Sequence, residues 1–164
     1  MSAWFESYGL AEIDERLILG AFPVDYSDIG FIARLGVTRV LNLVEDCEYG
    51  PGQRDDVELG YEAEGIVESR FSTVDYGGLS TDLLEEASTE VLGWLEQGAT
   101  VYLHCRAGWQ RSATLAGAVF TRRHRVTPDQ ALEEIRRRRP TADPLPHQRD
   151  DLNRWWQART PVAG

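Results

Sequence analysis

The chain of 164 residues contains no lysine; all seventeen of its basic residues are arginine. Schiff-base chemistry and a Walker-type phosphate loop both require a lysine, so both are excluded. Cysteine is almost as scarce, with only Cys47 and Cys105. Two cysteines build no disulfide framework and agree with a reducing compartment. The three histidines, His104, His124 and His147, are scattered, and no Cys/His cluster has the spacing of a structural zinc site. No apolar run approaches the ~20 residues that cross a bilayer. The first residues have no basic stretch leading into an apolar one, so no secretory signal is read. The expectation is a cytoplasmic protein with no membrane partner.

What is present fits one domain over residues 1–164, with an arm at 1–12 and a frayed tail at 160–164. Apolar residues make up 42% of the chain and include five tryptophans, enough for a well-filled core. The net charge of −10 is unevenly spread. Residues 1–99 hold 21 acids and 5 arginines, whereas residues 100–164 hold 6 acids and 12 arginines. An acidic total argues against nucleic acid as a partner. The basic second part suits a smaller anion.

In that part, residues 101–103 form a β-branched and aromatic run that predicts a buried strand. After Ser112, apolar residues recur at helical spacing. Between strand and helix lies a short loop, Cys105-Arg106-Ala107-Gly108-Trp109-Gln110-Arg111. A loop running into a helix N-terminus aims successive backbone N–H groups at one point and so holds an oxyanion such as phosphate. Gly108 lets it curl. Arg111 adds a planar fork of donors that matches phosphoryl oxygens. The same field stabilises a thiolate at Cys105, whose free pKa of about 8.5 falls in such settings. A buried, inert thiol is the competing reading of Cys105, and a surface arginine that of Arg111.

His-Cys-x5-Arg-Ser is the signature of the cysteine-dependent protein tyrosine phosphatases. With Ala107-Gly108 inside the gap, residues 104–112 most resemble the dual-specificity branch. A leucine-rich strand ending in Gly20, a short helix, Gly36 and then Val40-Leu41-Asn42-Leu43 extend the resemblance from about Leu17 to Leu152. It implies a single α/β/α sandwich on a mixed, mainly parallel sheet. It also implies a phosphomonoester hydrolase, a protein tyrosine or dual-specificity phosphatase, working through a cysteinyl-phosphate without metal or organic cofactor. Cys105 would be the nucleophile and Arg111 the phosphate clamp. Residues 106–110 would line the phosphate. Ser112 would assist thiolate departure, and His104 would hold the loop. The family draws its general acid from an upstream loop. Asp75, 30 residues before Cys105, fits, with Asp82 as rival. Family members carry a Pro near the acid; here Tyr76-Gly77-Gly78 follows, which predicts a mobile loop. Cys47 is either an unpaired loop thiol or, as in some relatives, a redox partner of the nucleophile. Phosphorylated protein is the substrate class favoured by a gap with one basic residue. Phosphatases of small phosphoesters such as inositol phosphates or nucleotides, a rhodanese-like sulfurtransferase and a phospho-binding pseudophosphatase stay open.

Along the rest of the chain, residues 13–20 and 38–44 read as strands. Ser27 and Asp28 cap a short helix. Residues 45–68 read as acidic loop with one short element, and residues 61–71 return to the sheet. Ser80 or Thr81 opens a helix through Gln97. Thr127-Pro128-Asp129-Gln130 opens another, which Pro140 ends after a solvated run, Arg136–139. Pro146 opens the last.

Overall fold

The computed structural model describes residues 1–159; the expected frayed tail lies outside them. The order along the chain is α1 (Ala3–Tyr8), β1 (Leu10–Asp14), β2 (Leu17–Gly20), α2 (Tyr26–Arg34) and β3 (Val37–Asn42). A 3-10 turn (Asp46–Glu48) leads to α3 (Gln53–Glu64) and β4 (Val67–Arg70). Then come α4 (Thr81–Glu96), β5 (Thr100–His104), α5 (Arg111–His124), α6 (Pro128–Arg138) and α7 (Pro146–Arg159). The strands form one sheet in the order β1-β2-β5-β3-β4. Strands β1 and β2 run antiparallel; the other three pairings are parallel. This is the mainly parallel sandwich expected from the sequence.

Period-two alternation divides the core. Leu17, Leu19, Leu41, Val101 and Leu103 face α4, α5 and α7 with Leu84, Val91, Leu115 and Trp155. Ile18, Val40 and Tyr102 face the other way, toward Phe5, Ile29, Ile32, Val57 and Tyr61. Sitting between β2 and β3, β5 is bonded on both edges. Its C-terminal end therefore delivers Cys105 at a fixed place.

Four segments differ from the sequence reading. Residues 13–20 are not one strand: the chain reverses at Glu15-Arg16, with Arg16 at φ 58°, and pairs β1 with β2. Neither turn residue is a Gly or Asn, so the hairpin carries no turn signal. The arm at 1–12 is helix α1 plus the start of β1. Residues 45–68 hold a helix of 12 residues bracketed by Gly52 and Gly65. Only Val57, Gly60 and Tyr61 of it are buried, so its apolar stripe is too thin to read. Helix α2 is capped by Asp25, whose side chain accepts from the Asp28 N–H. Asp28 itself is buried. It accepts hydrogen bonds from Ser2 N (2.7 Å), Ser2 Oγ (2.6 Å) and Val24 N (3.0 Å), pinning α1 to the body.

Two glycines are required where the loop meets the sheet. Gly108 has φ +73° and lies so close to Gly20 that a Cβ would overlap the Gly20 backbone. At Gly20 a Cβ would strike the Tyr102 hydroxyl, which donates to the Ala21 carbonyl at 2.5 Å.

Candidate active site

The loop between β5 and α5 presents Cys105 with 3% exposure. No side chain caps the start of α5, so its first N–H groups remain available to an anion. Cys105 Sγ lies 3.1 Å from Ser112 Oγ. Burial alone would push the thiol up. The Arg111 guanidinium, the Ser112 hydroxyl and the Ser112 and Gly108 backbone N–H groups outweigh it and hold the thiol below its ordinary range.

Arg111 is 1% exposed. Its Nη1 and Nη2 grip both oxygens of Glu48 at 2.9 and 2.6 Å, and Nη1 also donates to the Thr73 carbonyl at 2.8 Å. Asp75 Oδ1 stands 3.1 Å from Nη2. The buried Arg111 Nε–H has no partner among the described residues. Cys105, Arg111 and Asp75 line one cavity of about 450 Å³, with Trp4, Tyr8, Tyr76, Arg106, Ala107, Trp109 and Gln110. The fold thus brings Asp75 to the loop across 30 residues of chain. Asp82 lies exposed at the start of α4 and does not line this cavity.

The Asp75 loop is tied down rather than free. His147 Nε2 donates to the Tyr76 carbonyl (2.8 Å), Gln148 Nε2 to the Gly77 carbonyl (2.9 Å), and the Leu79 N–H to Asp151 (2.9 Å). All three partners come from α7, which sequence spacing does not connect to this loop.

His104 is fully buried behind the loop. Its Nδ1 donates to the Cys105 carbonyl at 3.0 Å, and Nε2 has no partner among the described residues. Burial pulls its pKa from 6.5 to about 4, so the ring is neutral at working pH. The unfolded chain binds this proton near pH 6.5, the folded one only near 4. The stability contributed is complete above 6.5 and falls by roughly 3 kcal/mol as the pH drops through that window. Urea unfolding of wild type and His104→Gln between pH 7 and 4.5 should show the steeper fall in wild type. Parallel curves would refute it.

Cys47 is exposed on the 3-10 turn, 3.8 Å from Glu45 Oε2. It opens into a different cavity from Cys105, and both thiols are free. Arg106 turns its side chain over the Trp4 ring, 5.4 Å from the centroid.

Sequence reasoning missed Glu48, Trp4 and Tyr8. Glu48 sits in an acidic segment where no spacing marks it out. The two aromatics come from the arm, and the Tyr8 ring meets that of Trp109 at an angle, with centroids 5.2 Å apart.

The family model of the dual specificity phosphatase catalytic domain matches residues 19–158. The chain belongs to this family. It is a cysteine-dependent phosphatase. A human relative, phosphatidylglycerophosphatase and protein-tyrosine phosphatase 1, is 30% identical over 152 residues, covering 92% of this chain and 75% of the relative. The dual specificity protein phosphatase 1 of Arabidopsis thaliana is 27% identical over 133 residues, or 80% of this chain and 61% of its own. Among solved structures, a mutant form of Tk-PTP superposes with a TM-score of 0.80 at 27% identity, covering 92% of this chain and 97% of that one. PTPMT1 in complex with PI(5)P gives 0.78 at 25%, covering 91% and 95%. The expected membership of the dual-specificity branch is thereby established.

Proposed function

We infer that this phosphatase acts on aromatic phosphomonoesters, above all phosphotyrosine in proteins. One observation carries the reading. Cys105, Arg111 and Asp75 open into a single cavity walled by Trp4, Tyr8, Tyr76 and Trp109. Aromatic walls suit a flat ring above a bound phosphoryl group.

In this reading the Cys105 thiolate attacks phosphorus and forms the S–P bond as the P–O bond to the alcohol breaks. Asp75 protonates the departing oxygen. The free Nε–H of Arg111 and the loop N–H groups take the charge on the phosphoryl oxygens. Water then attacks the cysteinyl-phosphate, Asp75 accepts its proton, and Ser112 donates to the returning thiolate. Two free thiols suit a reducing compartment, the cytoplasm in this reading.

Asp75→Asn should lower kcat on a phosphotyrosine peptide about 100-fold while leaving phosphate binding in place. Steady-state kinetics on the peptide check this; an unchanged kcat would remove Asp75 from the mechanism.

A second reading, a phosphorylated lipid headgroup, is favoured by the name of the human relative and by the PI(5)P bound to PTPMT1. A panel of phosphotyrosine peptide, phosphoserine peptide, phosphoinositide and phosphatidylglycerophosphate separates the two. The phosphotyrosine peptide should have the highest kcat/KM; a higher value for either lipid would replace the aromatic reading.

A further inference from the structure

The arginine run at 136–139 reads as a solvated helix end, yet its last member turns inward. Arg139 is 5% exposed, just past the end of α6. Among the described residues its guanidinium meets only carbonyl oxygens. Nε donates to the Gly108 carbonyl (3.0 Å), and Nη2 to the carbonyls of Ala107 (2.9 Å) and Tyr8 (3.0 Å). A buried cation without a counter-ion is costly and calls for a compensating role.

The neighbouring peptides supply one. The Arg106 carbonyl accepts from the Phe22 N–H at 3.1 Å and from Trp4 Nε1 at 3.2 Å. The Trp109 carbonyl accepts from the Asp143 N–H at 2.7 Å. Four consecutive carbonyls, 106 to 109, are thus drawn to donors outside the loop, and Arg139 holds the middle two. In a planar trans peptide, the C=O of one residue and the N–H of the next point in opposite directions. Holding the carbonyls of 107 and 108 outward therefore aims the N–H groups of 108 and 109 inward. The Gly108 N–H is one of those that stabilise the Cys105 thiolate.

We propose that Arg139 is a positioning residue of the phosphatase site. Its fork sets the peptide orientations that make the Cys loop an anion cup. The proposal rests on the Cys-loop reading above. Electrostatic attraction between Arg139 and Cys105 supports it.

The test uses the full chain in a Cys47→Ser background, so that only Cys105 is alkylated. Wild type, Arg139→Met and Arg139→Lys are compared in three measurements: the pH dependence of iodoacetamide alkylation, inorganic phosphate binding by calorimetry, and thermal unfolding. In Arg139→Met the alkylation midpoint should rise by about one pH unit or more. Phosphate binding should weaken at least tenfold. Arg139→Lys keeps the charge but loses the planar fork, so it should recover part of the alkylation shift and little of the phosphate affinity. It also carries the test if Arg139→Met does not fold. A folded Arg139→Met with the wild-type midpoint and phosphate affinity would overturn this proposal alone, as would a fully wild-type Arg139→Lys. If wild type itself showed neither a depressed midpoint nor phosphate binding, the Cys-loop reading would fall and this proposal with it.

Discussion

Cys105→Ser is expected to fold, to bind phosphate, and to hydrolyse para-nitrophenyl phosphate at least about 10⁴-fold more slowly than wild type. The argument lies in what surrounds the sulfur. The site stabilises a thiolate that forms without help, through Arg111, Ser112 and two backbone N–H groups. Among the described residues the groups that bond the side chain at position 105 are the Ser112 hydroxyl and the Ser112 and Gly108 N–H groups, none of which is a base toward a serine hydroxyl. His104 is the nearest imidazole in sequence, but its Nδ1 is engaged with a carbonyl and its neutral Nε2 contacts no donor. The serine would stay protonated and inert, while the loop that receives phosphate would be unchanged. Turnover and phosphate binding measured on the same preparation check this. Residual activity within tenfold of wild type would exclude Cys105 as nucleophile. A folded wild type that binds phosphate without turning it over would instead point to a phospho-binding protein.

The second large effect is double-edged. Arg111→Met should lower kcat/KM about 10³-fold or more, through loss of the charge facing the phosphoryl oxygens. It should also destabilise the fold by about 3–5 kcal/mol, because the Glu48 carboxylate is left buried without its cation. Glu48 has a side-chain exposure of 6% and gives both oxygens to Arg111. The two losses are separable. In Arg111→Met/Glu48→Gln the stranded charge is gone, while the amide oxygen can still accept from the Glu45 N–H, as Glu48 Oε2 does at 2.8 Å. Urea unfolding of the double variant should recover most of the stability, and its activity should stay as low as that of the single variant. If stability does not return, the pair is not the source of the loss.

These residues differ in how legible they are in sequence. Cys105, Arg111 and Ser112 lie on one loop, so their spacing alone sets their geometry, and a strand before and a helix after complete the picture. Asp75 is legible only at one remove, through likeness to a family that keeps an acid upstream. The α7 partners of the following residues, Tyr76, Gly77 and Leu79, are not legible, because they meet across about 70 residues and neither segment carries a pattern that names the other. Glu48 is hidden for another reason. In an acidic stretch every carboxylate looks like a solvated one, and only the turn after β3 selects this one to face inward. Strands β2, β3 and β5 are readable from their buried runs. The β1–β2 reversal is not, because Arg16 takes a left-handed conformation without a turn residue to announce it. Arg139 reads as surface for as long as the chain is treated as a line. Only the return of the chain past α6 brings it under Gly108.

The attachment of the Asp75 loop to α7 also orders events during synthesis. Cys105 and Arg111 emerge from the ribosome well before His147, Gln148 and Asp151. The buried faces of α4, α5 and β5 need Leu152 and Trp155 from the same late helix. A nascent chain can therefore carry the complete phosphate loop while its acid swings free and its core lies open. With Asp75 as the acid, the phosphate loop and its proton donor come together only as α7 docks.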